Sequence, residues 1–263
     1  MNHSLPVYFI PHGAGPCFFM DWQPKDAWAA TADWLSSIGR EPGVKAILVI
    51  SGHWEAPDFT VTSAPNPTLI YDYYGFPDHT YHLSYPAAGS PLLAERIVSL
   101  LEGQGLAAKK DEARGFDHGV FIPLMLVRAE ADLPVVQLSL KAGLDPSLHL
   151  ALGRALAPLR NEGVLILGSG MSFHNMRGYG DPAFTPIAER FDRWLGETVA
   201  ADPVSRAQRL AAWSEAPAAR LSHPREEHLL PLMVAAGAAG NDPGRIVFSD
   251  RVMEVPISGM RFG

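Results

Sequence analysis

The feature that most constrains this chain is a set of short runs that are almost wholly apolar: residues 7–10, 46–50, 59–62, 135–138, 164–167 and 246–248. A half-exposed strand alternates apolar and polar residues, whereas a strand apolar at nearly every position is covered on both faces. Between several of these runs the apolar residues take helical spacing, over 27–38, 91–101, 147–159, 186–199 and 226–239. Strands alternating with helices predict an α/β fold with a largely parallel or mixed central sheet flanked by helices. No stretch reads as an inter-domain linker and no repeat breaks the pattern, so residues 1–263 are expected to form a single domain. The one long irregular segment, 64–90, is rich in Pro, Gly and Tyr. A loop of that length is usually functional, and its aromatic residues predict an ordered loop packed near a site.

Composition narrows the function classes. The net charge of −7, with no cluster of Lys and Arg, gives no field to hold nucleic acid. The only cysteine, Cys17, rules out a disulfide framework and a CxxC zinc site. The first residues lack the pattern of a secretory signal, and no apolar stretch approaches the ~20 residues of a membrane span. The expectation is a soluble, cytoplasmic protein with no membrane partner.

Three histidines follow strand-like runs. His12 stands in PVYFIPHGAGP, His53 in LVISGHWEAP and His174 in VLILGSGMSFHN. In open α/β sheets ligands bind beyond the carboxyl ends of the strands, so these residues are expected to converge on a cleft there. Neutral imidazole is the commonest protein metal ligand. One such histidine is more often an ordinary core or surface group; three in the same relation to strand ends favour a shared site. Gly13, Gly52, Gly168 and Gly170 flank them and allow a sharp turn or a close approach to a bound group. In HPREEHLLPL, Pro224 suits the first turn of a helix, which makes His223 a cap or surface group. Glu227 and His228 then start that helix, and His228 reads as a ligand. In GFDHGVFIPL, Asp117 beside His118 is an acid able to fix an imidazole tautomer.

Taken in order, PHGAGP, LVISGHWE, YDYYGFPDHTYHLSYPAAG, GFDHGVFIPL, PVVQLSL, GSGMSFHN and HPREEHLLPLMVAAGAAG resemble the class III extradiol ring-cleavage dioxygenases, the LigB-like superfamily, and most closely its DOPA-dioxygenase branch. The likeness runs from Pro11 to Gly240. It implies a mononuclear Fe(II) in a deep cleft, with His12 and His53 as ligands and His228 in the C-terminal ligand motif. His174 matches a position that binds metal in some members and acts as acid/base in others. Glu226 and Glu227 lie beside His228, and either would complete a face of two histidines and one carboxylate. His118 is implied as an acid/base group beside the metal or as a group at the oxygen site.

Those residue types suit the implied chemistry. A catechol must shed protons to chelate a metal, which calls for a base near neutrality, and O2 needs an open coordination position. The implied partners are a small aromatic diol and O2, and the implied product is a muconic semialdehyde. Zn(II) is expected in purified protein, since it binds N/O sites more tightly than Fe(II). Tyr73, Tyr74, Phe76 and Trp54 are candidate walls for a flat ring, and Arg177 and Arg225 are candidate partners for a substrate carboxylate. Two other functions fit the same histidines: a zinc-dependent hydrolase, weakened by the lack of an HExxH helix, and a non-catalytic binding member of the superfamily.

Overall fold

A computed structural model describes residues 4–263. Its centre is one eight-stranded mixed sheet in the order β4-β3-β5-β2-β6-β1-β8-β7. The strands are β1 (Val7–Pro11), β2 (Ala46–Ala56), β3 (Phe59–Thr62), β4 (Ala108–Asp111), β5 (Val135–Lys141), β6 (Val164–Gly170), β7 (Gly244–Val252) and β8 (Val255–Phe262). The four inner strands, β5, β2, β6 and β1, run parallel. β3 joins β5 antiparallel, and β8 and β7 extend the other side antiparallel.

Side-chain alternation explains why the inner strands are apolar throughout. Val7, Phe9, Leu48, Ile50, Val164 and Ile166 join the core on one face. Their neighbours Tyr8, Ile10, Ile47, Val49, Leu165 and Leu167 join the core on the other. The first core is roofed by α2 (Pro91–Glu102), α4 (Pro146–Leu156), α5 (Thr185–Ala200) and α8 (Leu230–Ala239). The second is roofed by α1 (Ala29–Ser37) and α3 (His118–Val127). The remaining helices, α6 (Pro203–Ala211) and the short α7 (Ala219–Ser222), lead into the segment before α8. Local chemistry sets several starts. Ser90 caps α2, Asp145 caps α4 and Asp202 caps α6, each followed by a proline in the first turn. Among the described residues no helix is long and apolar enough to cross a membrane.

The structure departs from the sequence reading at five places. β2 does not end at residue 50 but runs to Ala56, with a register shift against β5 between Ile50 and Glu55. α8 starts at Leu230, because Pro231 rather than Pro224 occupies its first turn. β4 carries two lysines and no apolar pattern, as an edge strand can. α3 was hidden because HGVFIPLMLV is apolar all round and contains Pro123. The run 246–248 is part of a hairpin whose two-residue turn, Met253-Glu254, puts both residues at positive φ (42° and 74°). Residues 64–90 are irregular as expected, apart from a 3-10 turn at Asp78–His82.

Candidate active site

The parallel strands bring the candidate histidines together. His12 follows β1, and its backbone N–H donates to the Gly170 carbonyl at the end of β6 (3.2 Å). His53 lies inside β2, not past its end. Its ring centroid is 4.9 Å from that of His12 and 3.9 Å from that of His118, the first residue of α3. One ring nitrogen from each of His12, His53 and His118 lies within 4.8 Å of the others.

His228 arrives from the opposite side. The Met171 N–H donates to the His228 carbonyl (3.0 Å), and the His174 N–H donates to Ser222 (3.0 Å), which ties the loop after β6 to the segment before α8. The His174 ring stacks on His228 with centroids 3.4 Å apart. The His228 Nε2 lies 3.1 Å from the His53 Nε2. All five sequence-predicted histidines therefore form one cluster, and a cleft of about 370 Å³ opens onto it. Three of the flanking glycines serve the protein's own backbone rather than a bound group. A Cβ at Gly52 would crowd the Glu227 carbonyl and the His228 Cα, and side chains at Gly168 and Gly170 would collide with the Pro231 and His228 carbonyls. Only Gly13, at φ +82°, makes a turn that needs glycine's left-handed freedom.

Two carboxylates orient the rings. Asp72 Oδ1 accepts from the His118 backbone N–H (2.9 Å) and faces its Nδ1 at 2.8 Å, while Oδ2 lies 3.8 Å from the His53 Nδ1. Glu227 Oε1 lies 3.0 Å from the His228 Nδ1 and 3.5 Å from the His174 Nδ1. Glu226 turns outward to Arg220 (2.5 Å). Burial raises both orienting carboxyls, but contact with His118 holds Asp72 below the usual carboxylate range, and His174 with His228 holds Glu227 well below it. Burial, then the other imidazoles, keeps His12 and His53 well below the ordinary histidine range. Burial likewise takes His228 down to about 4, against the pull of Glu227. These three rings are neutral at pH 7, the form that binds metals.

The donor set fits a metal. Both nitrogens of buried His12 lack any hydrogen-bond partner, an arrangement that is costly unless something else engages them. His53 and His228 each turn Nδ1 toward a carboxylate and leave Nε2 for the centre, as metal-bound histidines commonly do.

Other residues fall outside the sequence expectation. Asp117 makes no hydrogen bond to the His118 ring; it is fully buried, accepts from Ser51 (2.7 Å) and Gln137, and pairs with Arg114 (3.2 Å). His223 is neither a cap at a helix start nor a surface group. It closes α7, is fully buried with its pKa lowered to about 3 by burial, and its Nε2 bonds the Ser172 carbonyl (3.0 Å). Of the proposed aromatic walls only Phe76 lines the cleft. Trp54 packs under Arg114, Tyr73 is buried with its hydroxyl on the Thr80 carbonyl, and Tyr74 is 87% exposed. Trp22, Trp28, Tyr179 and three methionines supply the rest, none of them signalled by sequence spacing. Asp72 was also missed; its one signal was an acid set among the tyrosines of YDYYGF.

A model of the family described as the catalytic LigB subunit of aromatic ring-opening dioxygenase matches residues 6–258. A 4,5-DOPA dioxygenase extradiol from Beta vulgaris is 41% identical over 240 residues, covering 90% of this chain and 87% of its own. The dioxygenase tasH of Hapsidospora irregularis is 38% identical over 275 residues, covering 96% of this chain and 83% of its own. The crystal structure of an uncharacterized protein from Escherichia coli K12 superposes with a TM-score of 0.79 at 29% identity, covering 98% of this chain and all of the other.

Proposed function

The chain belongs to the LigB family of aromatic ring-opening dioxygenases, and from that premise we propose that it cleaves a catechol with O2 at a mononuclear Fe(II) site. Residues 1–263 act as one catalytic domain in this reading. The observation that carries it is the buried His12, with neither nitrogen bonded, at the centre of a histidine cluster on a cleft. His12, His53 and His228 hold the metal. Their neutral rings need no proton release to bind it. A ferrous ion held there would supply an electrophilic centre and a path for electrons from the catechol, which is oxidised, to O2, which is reduced. The same three imidazoles would hold zinc where iron is scarce.

The protein's own groups then manage protons and position. Asp72, as a carboxylate, keeps the proton of His118 on Nδ1, which leaves Nε2 free to accept one from a catechol hydroxyl. His118 lines the cleft, within reach of such a hydroxyl. His174 also lines the cleft and stacks on His228, while Glu227 faces its Nδ1; it holds the second proton and returns it as the ring opens. This gives His174 an acid/base role, and Glu227 an orienting rather than a ligating one. Phe76 and Trp22 flank the ring and exclude water.

The test is anaerobic reconstitution with Fe(II), then a catechol and air. Consumption of one O2 per ring with a yellow semialdehyde product is expected. Hydrolysis by the zinc form without O2 uptake, or catechol binding with no turnover by the iron form, would overturn the proposal.

A further inference from the structure

Resting on the ring-cleavage reading, we infer that the substrate is a catechol whose ring substituent is uncharged and mainly apolar. The cleft's volume, about 370 Å³, lies in the lower part of the ~300–1,000 Å³ range that holds small ligands, so a diol ring leaves room for a modest substituent. Away from the histidines its wall is made by Trp22, Trp28, Phe76, Tyr179 and three methionines, Met171, Met176 and Met253, with the turn at residues 13–15. No Lys, Arg, Asp or Glu among the described residues lines it.

Two of the three polar side-chain atoms of that wall are committed, and the third, the Trp28 indole N–H, is a neutral donor with no partner. The Tyr179 hydroxyl donates to the Phe173 carbonyl (3.0 Å), and the Trp22 indole N–H donates to the Met253 sulfur (3.3 Å). Of the two arginines that the sequence offered for a carboxylate, Arg225 is bound to Glu55 (2.5 and 2.7 Å). Arg177 is exposed and outside the lining. Asp21, Lys25 and Asp26 line a separate crevice that shares only Trp22 and Trp28 with the cleft. A carboxylate or ammonium brought against this wall would shed water and meet no counter-charge, which is unfavourable. Methionine side chains adapt their shape to apolar groups, and three of them meet here. Met176, 64% exposed, carries the apolar character out to the rim.

The experiment compares two catechols that differ in charge and by one methyl group, 3-(3,4-dihydroxyphenyl)propionate and its methyl ester, with unsubstituted catechol as reference. On the iron-loaded protein at pH 7 the ester should show kcat/KM at least ~10-fold above the acid, as expected when a charge is desolvated without a partner. Quenching of tryptophan fluorescence should give the ester the lower Kd by a similar factor. In Met176→Arg the ester-to-acid ratio should fall, because the rim then carries a cation. Equal or better use of the acid, or a ratio unmoved by Met176→Arg, would overturn the inference. If even unsubstituted catechol is not cleaved, the ring-cleavage reading fails instead, and the two dissociation constants still decide the inference: a tighter ester supports it and equal values overturn it.

Discussion

The two ends of α8 are equally buried and differently furnished. At its C-terminal end Arg160 donates to the carbonyls of Ala238 (3.1 Å) and Ala239 (3.3 Å) and pairs with Asp242, while Arg206 donates to those of Gly240 (2.9 Å) and Asp242 (3.0 Å). A helix end leaves carbonyls without partners, and two guanidiniums supply the missing donors. At the N-terminal end His228 meets the ring nitrogen of His53, and His12 meets nothing. Exposure is 5% and 2% for the arginines and 4% and 2% for His228 and His12, so burial does not separate the two ends. What separates them is whether hydrogen-bonding capacity is used. At this helix the closed polar groups hold the fold, and the open nitrogens of His12 are left for a ligand.

The largest effect that would test this contrast is His12→Ala. Metal content and ring cleavage should both fall to background, yet the metal-free protein should keep its stability within ~1 kcal/mol or gain some, because two unpartnered buried nitrogens are removed. Metal analysis beside denaturant unfolding reads both. Retained metal, or a large loss of stability in the metal-free state, breaks the contrast at the histidine end.

His118→Phe comes next. Metal should stay, and turnover should drop ~10²–10⁴-fold, the usual effect of losing a general acid or base. Loss of metal along with activity would make His118 a ligand. At the other end of α8, Arg160→Met should lower stability by ~3 kcal/mol, since it strands buried carbonyls. Its turnover per folded molecule should match the parent. Urea unfolding and active-site titration measure the two quantities, and a stability change under ~1 kcal/mol would show that Arg160 does not secure that end.

The contrast also explains what could be read from the sequence. The inner sheet was legible because strands covered on both faces are apolar at every position, as in 46–50 and 164–167. β4, with Lys109 and Lys110, and β8, broken by Pro256 and Gly259, lie toward the sheet's sides and lack that pattern. His12, His174 and His228 were legible because they stand beside strand or helix ends, and His53 because the apolar run stops before it, though β2 continues. Asp72, Trp22, Trp28 and Met253 were not, because loops and a hairpin tip bring them to the cleft by tertiary packing alone. Arg160 and Arg206 were equally silent: an arginine that caps a distant helix looks like a surface arginine in sequence.

The smallest expected effect belongs to Asp72→Asn, and it asks which ring that carboxylate serves. Its two oxygens face two histidines at unequal range, Oδ1 at 2.8 Å from His118 and Oδ2 at 3.8 Å from His53. The shorter contact is a hydrogen bond and the longer one is not. Asparagine keeps the shape but removes the negative charge that favours a proton on the facing His118 Nδ1, and its amide can turn a donor toward the ring instead. The alternative tautomer then becomes accessible, with the Nε2 that should accept a catechol proton already carrying one. Turnover should fall ~10–100-fold, the range seen when a group that orients an active imidazole is lost. Metal affinity should change less, because His53 leans on Asp72 only at the longer distance. Measuring kcat/KM at saturating Fe(II) and the metal Kd on the same Asp72→Asn protein separates the two. A metal Kd that weakens more than turnover slows would assign Asp72 to His53 rather than to His118, and to metal holding rather than to proton management.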